Sequence, residues 1–206
     1  MPLLTTIKQA WFHPKEFFPS LKDTGFGPAW KYFALIQLVP TIILLAVNLS
    51  VAAGPRGNQL SIVSIPGSNL LTVLFSAISG YVLSLILIFV GAAILHVFVY
   101  LLGGRAGYQK TFSSAIYGGT PIILLSWIVV ALGSLGLLGL IAGVLIALAF
   151  GIWAIYNTAI GLSALHRIST GRAVLAILLP AIIAFAITFL FGLLFTLWLN
   201  SLSRVI

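Results

Sequence analysis

Residues 70–102 read LLTVLFSAISGYVLSLILIFVGAAILHVFVYLL, a run of 33 positions without an Asp, Glu, Lys or Arg. About 20 apolar helical residues cross a hydrocarbon core roughly 30 Å thick, so this run is a membrane span with length to spare. Working outward, residues 30–53, 117–132, 136–165 and 173–199 repeat the pattern, with no charge beyond the first few positions of any stretch. The sequence therefore predicts an all-α polytopic membrane protein built as a bundle of five transmembrane helices. Residues 1–29 form a cytoplasmic interfacial lead-in, and residues 30–206 form a single transmembrane domain.

Composition points the same way. Apolar residues make up 61% of the 206 positions, charged residues 6%, and the mean hydropathy is +1.23. A soluble domain carries about 25% charged residues, so a soluble fold is excluded. The first 22 residues lack a short apolar core followed by a small-residue cleavage site, which predicts that the first span is retained. With no cysteine in the chain, disulfide, thiolate and Cys-ligated metal chemistry are excluded.

The net charge of +8 is informative through its placement. Lys8, Lys15, Lys22 and Lys31 precede or open the first span, Arg105 and Lys110 lie between the second and third, and Arg167 and Arg172 between the fourth and fifth. Only Arg56 and Arg204 fall on the alternate side. Basic residues in short loops stay cytoplasmic, so the predicted topology is N-terminus inside and C-terminus outside, in the cell (inner, cytoplasmic) membrane. The uncharged turn at residues 133–136 suits an outer hairpin. Charges dispersed over short loops do not make a nucleic-acid footprint. They predict attraction to anionic headgroups on the cytoplasmic side.

Before the first span, Thr5 or Thr6 is expected to cap a short helix carrying Ile7, Ala10 and Trp11 on one face. Pro14 suits the first turn of a second piece that holds Phe17, Phe18 and Leu21. Such basic, aromatic segments lie in the membrane interface and anchor the span behind them. Within the spans, Pro40, Pro121 and Pro180 each remove a backbone donor and invite kinks, and Gly80 offers a bend in the second. Gly139 and Gly143, continued by Gly136 and Gly133, form a small-residue face that lets another helix approach, including one from a second copy.

Catalytic machinery is hard to find. The carboxylates are Glu16 and Asp23, both in the lead-in and outside any acid–base constellation. Gly103-Gly104 reads as a helix stop rather than a phosphate loop. His13, His96 and His166 all map to the cytoplasmic side, without helical i, i+4 spacing or a supporting carboxylate or thiol. They are expected to hydrogen-bond neighbours near the interface rather than bind metal. Gln37, Asn48, Trp153, Tyr156 and Asn157 are expected to join helices. Asn48-Leu49-Ser50 matches a glycosylation pattern at the end of a span, where it carries no weight.

One constellation is distinctive. His96, followed by Leu102-Gly103-Gly104-Arg105-Ala106-Gly107-Tyr108-Gln109-Lys110-Thr111-Phe112 and then Tyr117 and Pro121, resembles the central signature of the Yip family, the Ypt/Rab-interacting proteins. His13-Pro14-Lys15-Glu16-Phe17-Phe18 is similar to the start of prokaryotic members. Residues 161–166 and 171–180 resemble the last cytoplasmic loop and fifth span. The resemblance implies five spans with the N-terminus inside and implies no catalytic residue. Eukaryotic members are associated with Rab GTPases and traffic between endoplasmic reticulum and Golgi. This chain lacks their long polar N-terminal region and looks like the compact bacterial or archaeal branch, where Rab partners are not expected.

Together these readings predict a non-enzymatic membrane scaffold or adaptor, possessing no cofactor or metal site. Its cytoplasmic interaction face comprises Gly103, Gly104, Arg105, Lys110, His166, Arg167 and Arg172, and its partners are anionic lipids, a protein or a second copy of the chain. The alternative is a small-solute channel or transporter using the kinked helices around Gln37, Tyr156 and Asn157. An enzyme working inside the membrane is the least supported reading.

Overall fold

A computed structural model describes residues 2–21, 25–53 and 70–202, with backbone only for 51–53 and 197–202. Lys22, Asp23, Arg56 and Arg204 lie outside the described residues. Those described form α1 (Leu3–Phe12), α2 (Pro14–Ser20), α3 (Phe26–Ala53), α4 (Leu70–Leu101), α5 (Tyr108–Gly118), α6 (Thr120–Leu125), α7 (Trp127–Gly133), α8 (Leu137–His166) and α9 (Thr170–Leu202).

Four helices are long and apolar enough to cross a membrane, over Phe26–Ser50, Leu70–Leu101, Leu137–His166 and Thr170–Thr196. The expected third span is different. Its helix begins at Tyr108, nine positions earlier than hydropathy suggested, and the pair Tyr108–Gly118 and Thr120–Gly133 is bent by 44°. Pro121, in the first turn of α6, has no N–H to continue the α5 ladder, which accounts for the break. Counted as one bent span, the pair makes a fifth crossing. Pro40 and Pro180 sit inside uninterrupted helices, and α4 runs on through Gly80.

The start of α1 also differs from expectation. The helix opens at Leu3, so Thr5 and Thr6 lie inside it, and the Thr6 hydroxyl donates back to the Pro2 carbonyl (3.2 Å) instead of capping. Pro14 does open α2, where its missing N–H leaves nothing unsatisfied. Ala10, Phe17 and Phe18 are fully or almost fully buried against the bundle, while Leu4 and Phe12 remain exposed.

Two apolar clusters make the core. One joins Phe17, Phe18, Tyr32, Phe33, Ile36, Phe112, Ile116 and Tyr117; the other joins Val99, Ala159, Leu162, Ile168, Ala173 and Ala176. Both lie toward the end where α4 meets α5 and α8 meets α9. At the opposite end residues 181–196 of α9 are exposed throughout, as is much of α4, and most of these side chains are large and apolar. Exposed apolar surface of this extent is a lipid-facing surface.

Glycines decide how closely the helices pass. A Cβ at Gly118 would lie 2.5 Å from the Thr158 Cα, so α5 and α8 touch backbone to backbone. The Gly139–Gly143 face is occupied by α7 of the same chain: a Cβ at Gly143 would lie 3.0 Å from the Val129 Cα, and one at Gly139 would meet the Leu132 carbonyl. The small residues expected to let another helix approach close the α7–α8 hairpin, whose turn has Gly136 at φ 96°.

Candidate functional site

The loop after α4 is built on a helix stop. The Gly103 N–H donates to the Tyr100 carbonyl (3.1 Å) and the Gly104 N–H to the Val99 carbonyl (2.8 Å). Gly103 has φ 98°, so this is the left-handed glycine ending that caps the last carbonyls of a helix. Gly104 is needed for a different reason. A Cβ there would lie 2.5 Å from Val99 Cγ1 and 2.9 Å from His166 Nδ1.

His166, the last residue of α8, reaches under this loop and is only 5% exposed. The Ala106 N–H donates to its Nδ1 (3.3 Å), and its Nε2 lies 3.0 Å from the Thr111 hydroxyl. That hydroxyl is in turn 2.8 Å from His96 Nδ1. A neutral imidazole has one donor and one acceptor nitrogen. With Nδ1 of His166 accepting, Nε2–H donates to Thr111, and the threonine proton is left for His96. The chain of bonds therefore has one direction, from Ala106 through His166 and Thr111 to His96, and it ties α4, α5, α8 and the loop together. Tyr108 sets its ring edge against His96, with centroids 5.8 Å apart.

The rest of the signature packs below. Phe112 stacks on Phe26 (4.3 Å) and Phe89 (5.1 Å), and Tyr117 meets Phe17 (5.2 Å) and Tyr32 (4.8 Å). The Tyr32 hydroxyl bonds the Thr120 hydroxyl at 2.9 Å.

Five of the seven residues expected on the interaction face meet around the loop: Gly103, Gly104, Arg105, His166 and Arg172. A Cβ at Gly103 would lie 3.6 Å from Arg172 Nη1, and the Arg105 guanidinium sits 4.1 Å above the Tyr100 ring. Arg167 follows His166 at the end of α8 with φ 57° and is exposed, as are Arg105 and Arg172. Lys110 is set apart. It lies inside α5 rather than in the loop, and its Nζ donates to the Leu21 carbonyl at the end of α2 (3.0 Å). Thr111, the residue that joins the two histidines, was recognised only as part of the signature.

The polar groups in the fourth span hold the lead-in. Asn157 Nδ2 donates to the Ala10 and Trp11 carbonyls (3.4 and 3.3 Å), and Trp153 Nε1 donates to the Trp11 carbonyl (3.2 Å). A Cβ at Gly161 would run into the Phe18 ring at 2.6 Å, so the glycine makes the seat for that side chain. His13 does not join the other histidines in this network; it lines clefts at the α1–α2 elbow. Among the described residues no group of three or more His, Cys, Asp or Glu is placed to hold a metal ion.

Described residues that are helical throughout apart from short turns, with four to five apolar helices of membrane length and a broad exposed apolar surface, make this a multi-pass integral membrane protein. The family model described as the Yip1 domain matches residues 8–199, nearly the whole chain, and the protein belongs to the Yip family. No match was found among curated proteins or among solved structures.

Proposed function

We propose that the protein is a non-enzymatic membrane scaffold or adaptor of the compact prokaryotic kind. It crosses the cytoplasmic membrane five times with its N-terminus inside and C-terminus outside, and α1 is an amphipathic helix at the cytoplasmic interface. Its interaction face is the end of the bundle formed by Gly103, Gly104, Arg105, Lys110, His166, Arg167 and Arg172. The observation that carries this reading is the exposed pair Arg105 and Arg172 at a loop pinned by the His166–Thr111–His96 bonds, with Arg167 exposed at the end of α8 next to His166. Guanidinium groups held on a rigid frame suit phosphate or carboxylate recognition. Gly103, Gly104, His166 and Lys110 shape that frame, and the arginines make the contact with anionic headgroups or an acidic protein surface.

The test is mass spectrometry of the protein extracted with native lipid, comparing the parent with an Arg105→Glu/Arg167→Glu/Arg172→Glu variant. Loss of a stoichiometric anionic lipid or protein companion in the variant is the expected result. Companions retained unchanged, with the variant folded and correctly inserted, would refute the face.

A further inference from the structure

The His13-Pro14 elbow between α1 and α2 rests beside α8, and a cleft of about 270 Å³ opens there, lined by Phe12, His13, Lys15, Glu16, Trp153 and Tyr156 together with Pro14. A second cleft of about 250 Å³ shares His13 and Glu16. Glu16 is the one carboxylate among the described residues, and neither it nor Lys15 forms an ion pair there. Trp153 and Tyr156 are one turn apart on α8, their ring centroids 6.0 Å apart, and each is 42% exposed. The indole N–H is held by the Trp11 carbonyl, which fixes how the ring stands beside the elbow. The cleft thus brings together a carboxylate, two aromatic rings, an ammonium and an imidazole.

Depth follows from helix length. α8 has 30 residues, about 45 Å at 1.5 Å per residue, against a hydrocarbon core of about 30 Å. Standing upright it would leave about 15 Å outside, and tilting would leave less. Trp153 is 13 positions, about 20 Å, from the His166 end. Lys8, Lys15, Glu16 and Lys31 are exposed and cannot face hydrocarbon, whereas Trp and Tyr favour the headgroup level. The cytoplasmic boundary of the bilayer therefore passes near the elbow, and the cleft opens among headgroups. This step rests on the proposed reading that α1 lies at the cytoplasmic interface.

We infer that the elbow cleft binds the headgroup of a zwitterionic aminophospholipid. The primary ammonium would sit between the Glu16 carboxylate and the faces of Trp153 and Tyr156, where cation–π attraction and charge-assisted hydrogen bonding act together. The phosphate would meet Lys15 and His13. This recognition is chemically distinct from that of the arginine face, which offers cations alone.

The experiment is native mass spectrometry of the full chain in neutral detergent, titrated separately with phosphatidylethanolamine, phosphatidylglycerol and soluble phosphoethanolamine. Phosphatidylethanolamine is expected to be retained in preference to the other two. Glu16→Gln and Tyr156→Ala should each lower its retention about fivefold, the scale of one cation–π or charged contact, and leave phosphatidylglycerol unchanged. Unchanged retention in Glu16→Gln, or soluble phosphoethanolamine bound as well as the lipid, would overturn the assignment. The arginine reversals should lower phosphatidylglycerol alone, so failure of the arginine face and failure of the cleft give different patterns. Depth is read separately, because the chain has no cysteine. Lys8→Cys, exposed on α1 outside the cleft, should react with an impermeant maleimide at the cytoplasmic face of vesicles, and protection from it would overturn the placement on which the cleft depends.

Discussion

Thr111→Val is the sharpest test of the frame beneath the arginines. The substitution keeps the side chain's shape and removes the one hydroxyl shared by His96 and His166. A net intramolecular hydrogen bond contributes about 1 kcal/mol, and a buried donor left without a partner costs about 1–3 kcal/mol. Thr111 is fully buried and His166 nearly so. The variant therefore leaves the His166 Nε2–H facing a methyl group, while His96, less enclosed, can be rehydrated. The sum is a destabilisation of about 2–4 kcal/mol. At about 2–4 °C per kcal/mol for a chain of this size, the unfolding midpoint should fall by roughly 10 °C. Thermal unfolding in detergent, followed by near-UV circular dichroism, reads this directly. Thr111→Ser retains the hydroxyl and should lose less than half as much. A double-mutant cycle with His166→Phe should give a coupling energy of about 1 kcal/mol or more. A Thr111→Val midpoint within about 1 °C of the parent, or strict additivity in the cycle, would refute the directed chain of bonds.

Gly118→Ala places a methyl against the Thr158 backbone and should destabilise by about 1–3 kcal/mol, whereas Gly171→Ala, which meets open space, should be near neutral by the same unfolding assay. Asn157→Ala removes two of the three side-chain bonds that hold the end of α1, so limited proteolysis should cut within α1 faster while the bundle stays protected; unchanged protection of α1 would show that apolar burial alone seats it. For the proposed orientation, Ala106→Cys should be labelled by an impermeant maleimide from the cytoplasmic side of vesicles and Ser134→Cys from the outer side. The reverse pattern would invert the topology.

The sequence made the spans legible wherever a helix faces lipid. α4, α8 and α9 read as unbroken apolar runs because most of their positions touch either hydrocarbon or other apolar groups. α5 was hidden for the opposite reason. Gln109, Lys110, Thr111, Ser113 and Ser114 look like loop to a hydropathy scan, yet Thr111, Ser113 and Ser114 are buried inside protein, where the Thr111 and Ser114 hydroxyls bond another side chain or an α5 carbonyl. A scale calibrated on lipid exposure cannot see a polar helix that other helices surround. Glycine patterns had a related limit. The Gly139–Gly143 face announced a close approach but not which helix would make it, and a hairpin partner seven to fourteen positions upstream used it first.

The same distinction explains what the short family signature does. His96, Gly104, Thr111, Phe112 and Tyr117 looked like a functional motif because they are unusual residues at fixed spacing. In the fold His96 and Thr111 are bonded to each other, Phe112 and Tyr117 stack on rings of other helices, and the buried Gly104, Phe112 and Tyr117 offer almost nothing to solvent. Their separations of 15 and 55 positions between bonded partners are the reason a local reading could not assemble them. Among the residues left exposed around this arrangement are Arg105, Arg167 and Arg172. On the proposed reading, the fold at this end should therefore tolerate exchange among arginine, lysine or acidic side chains, while the companions bound there should change. A change at the buried positions should instead remove fold and recognition together. Purifying Arg105→Glu and Gly104→Ala in parallel separates the two: the first should stay folded with altered companions, and the second, with Val99 and His166 in the way of its new methyl group, should lose the loop itself.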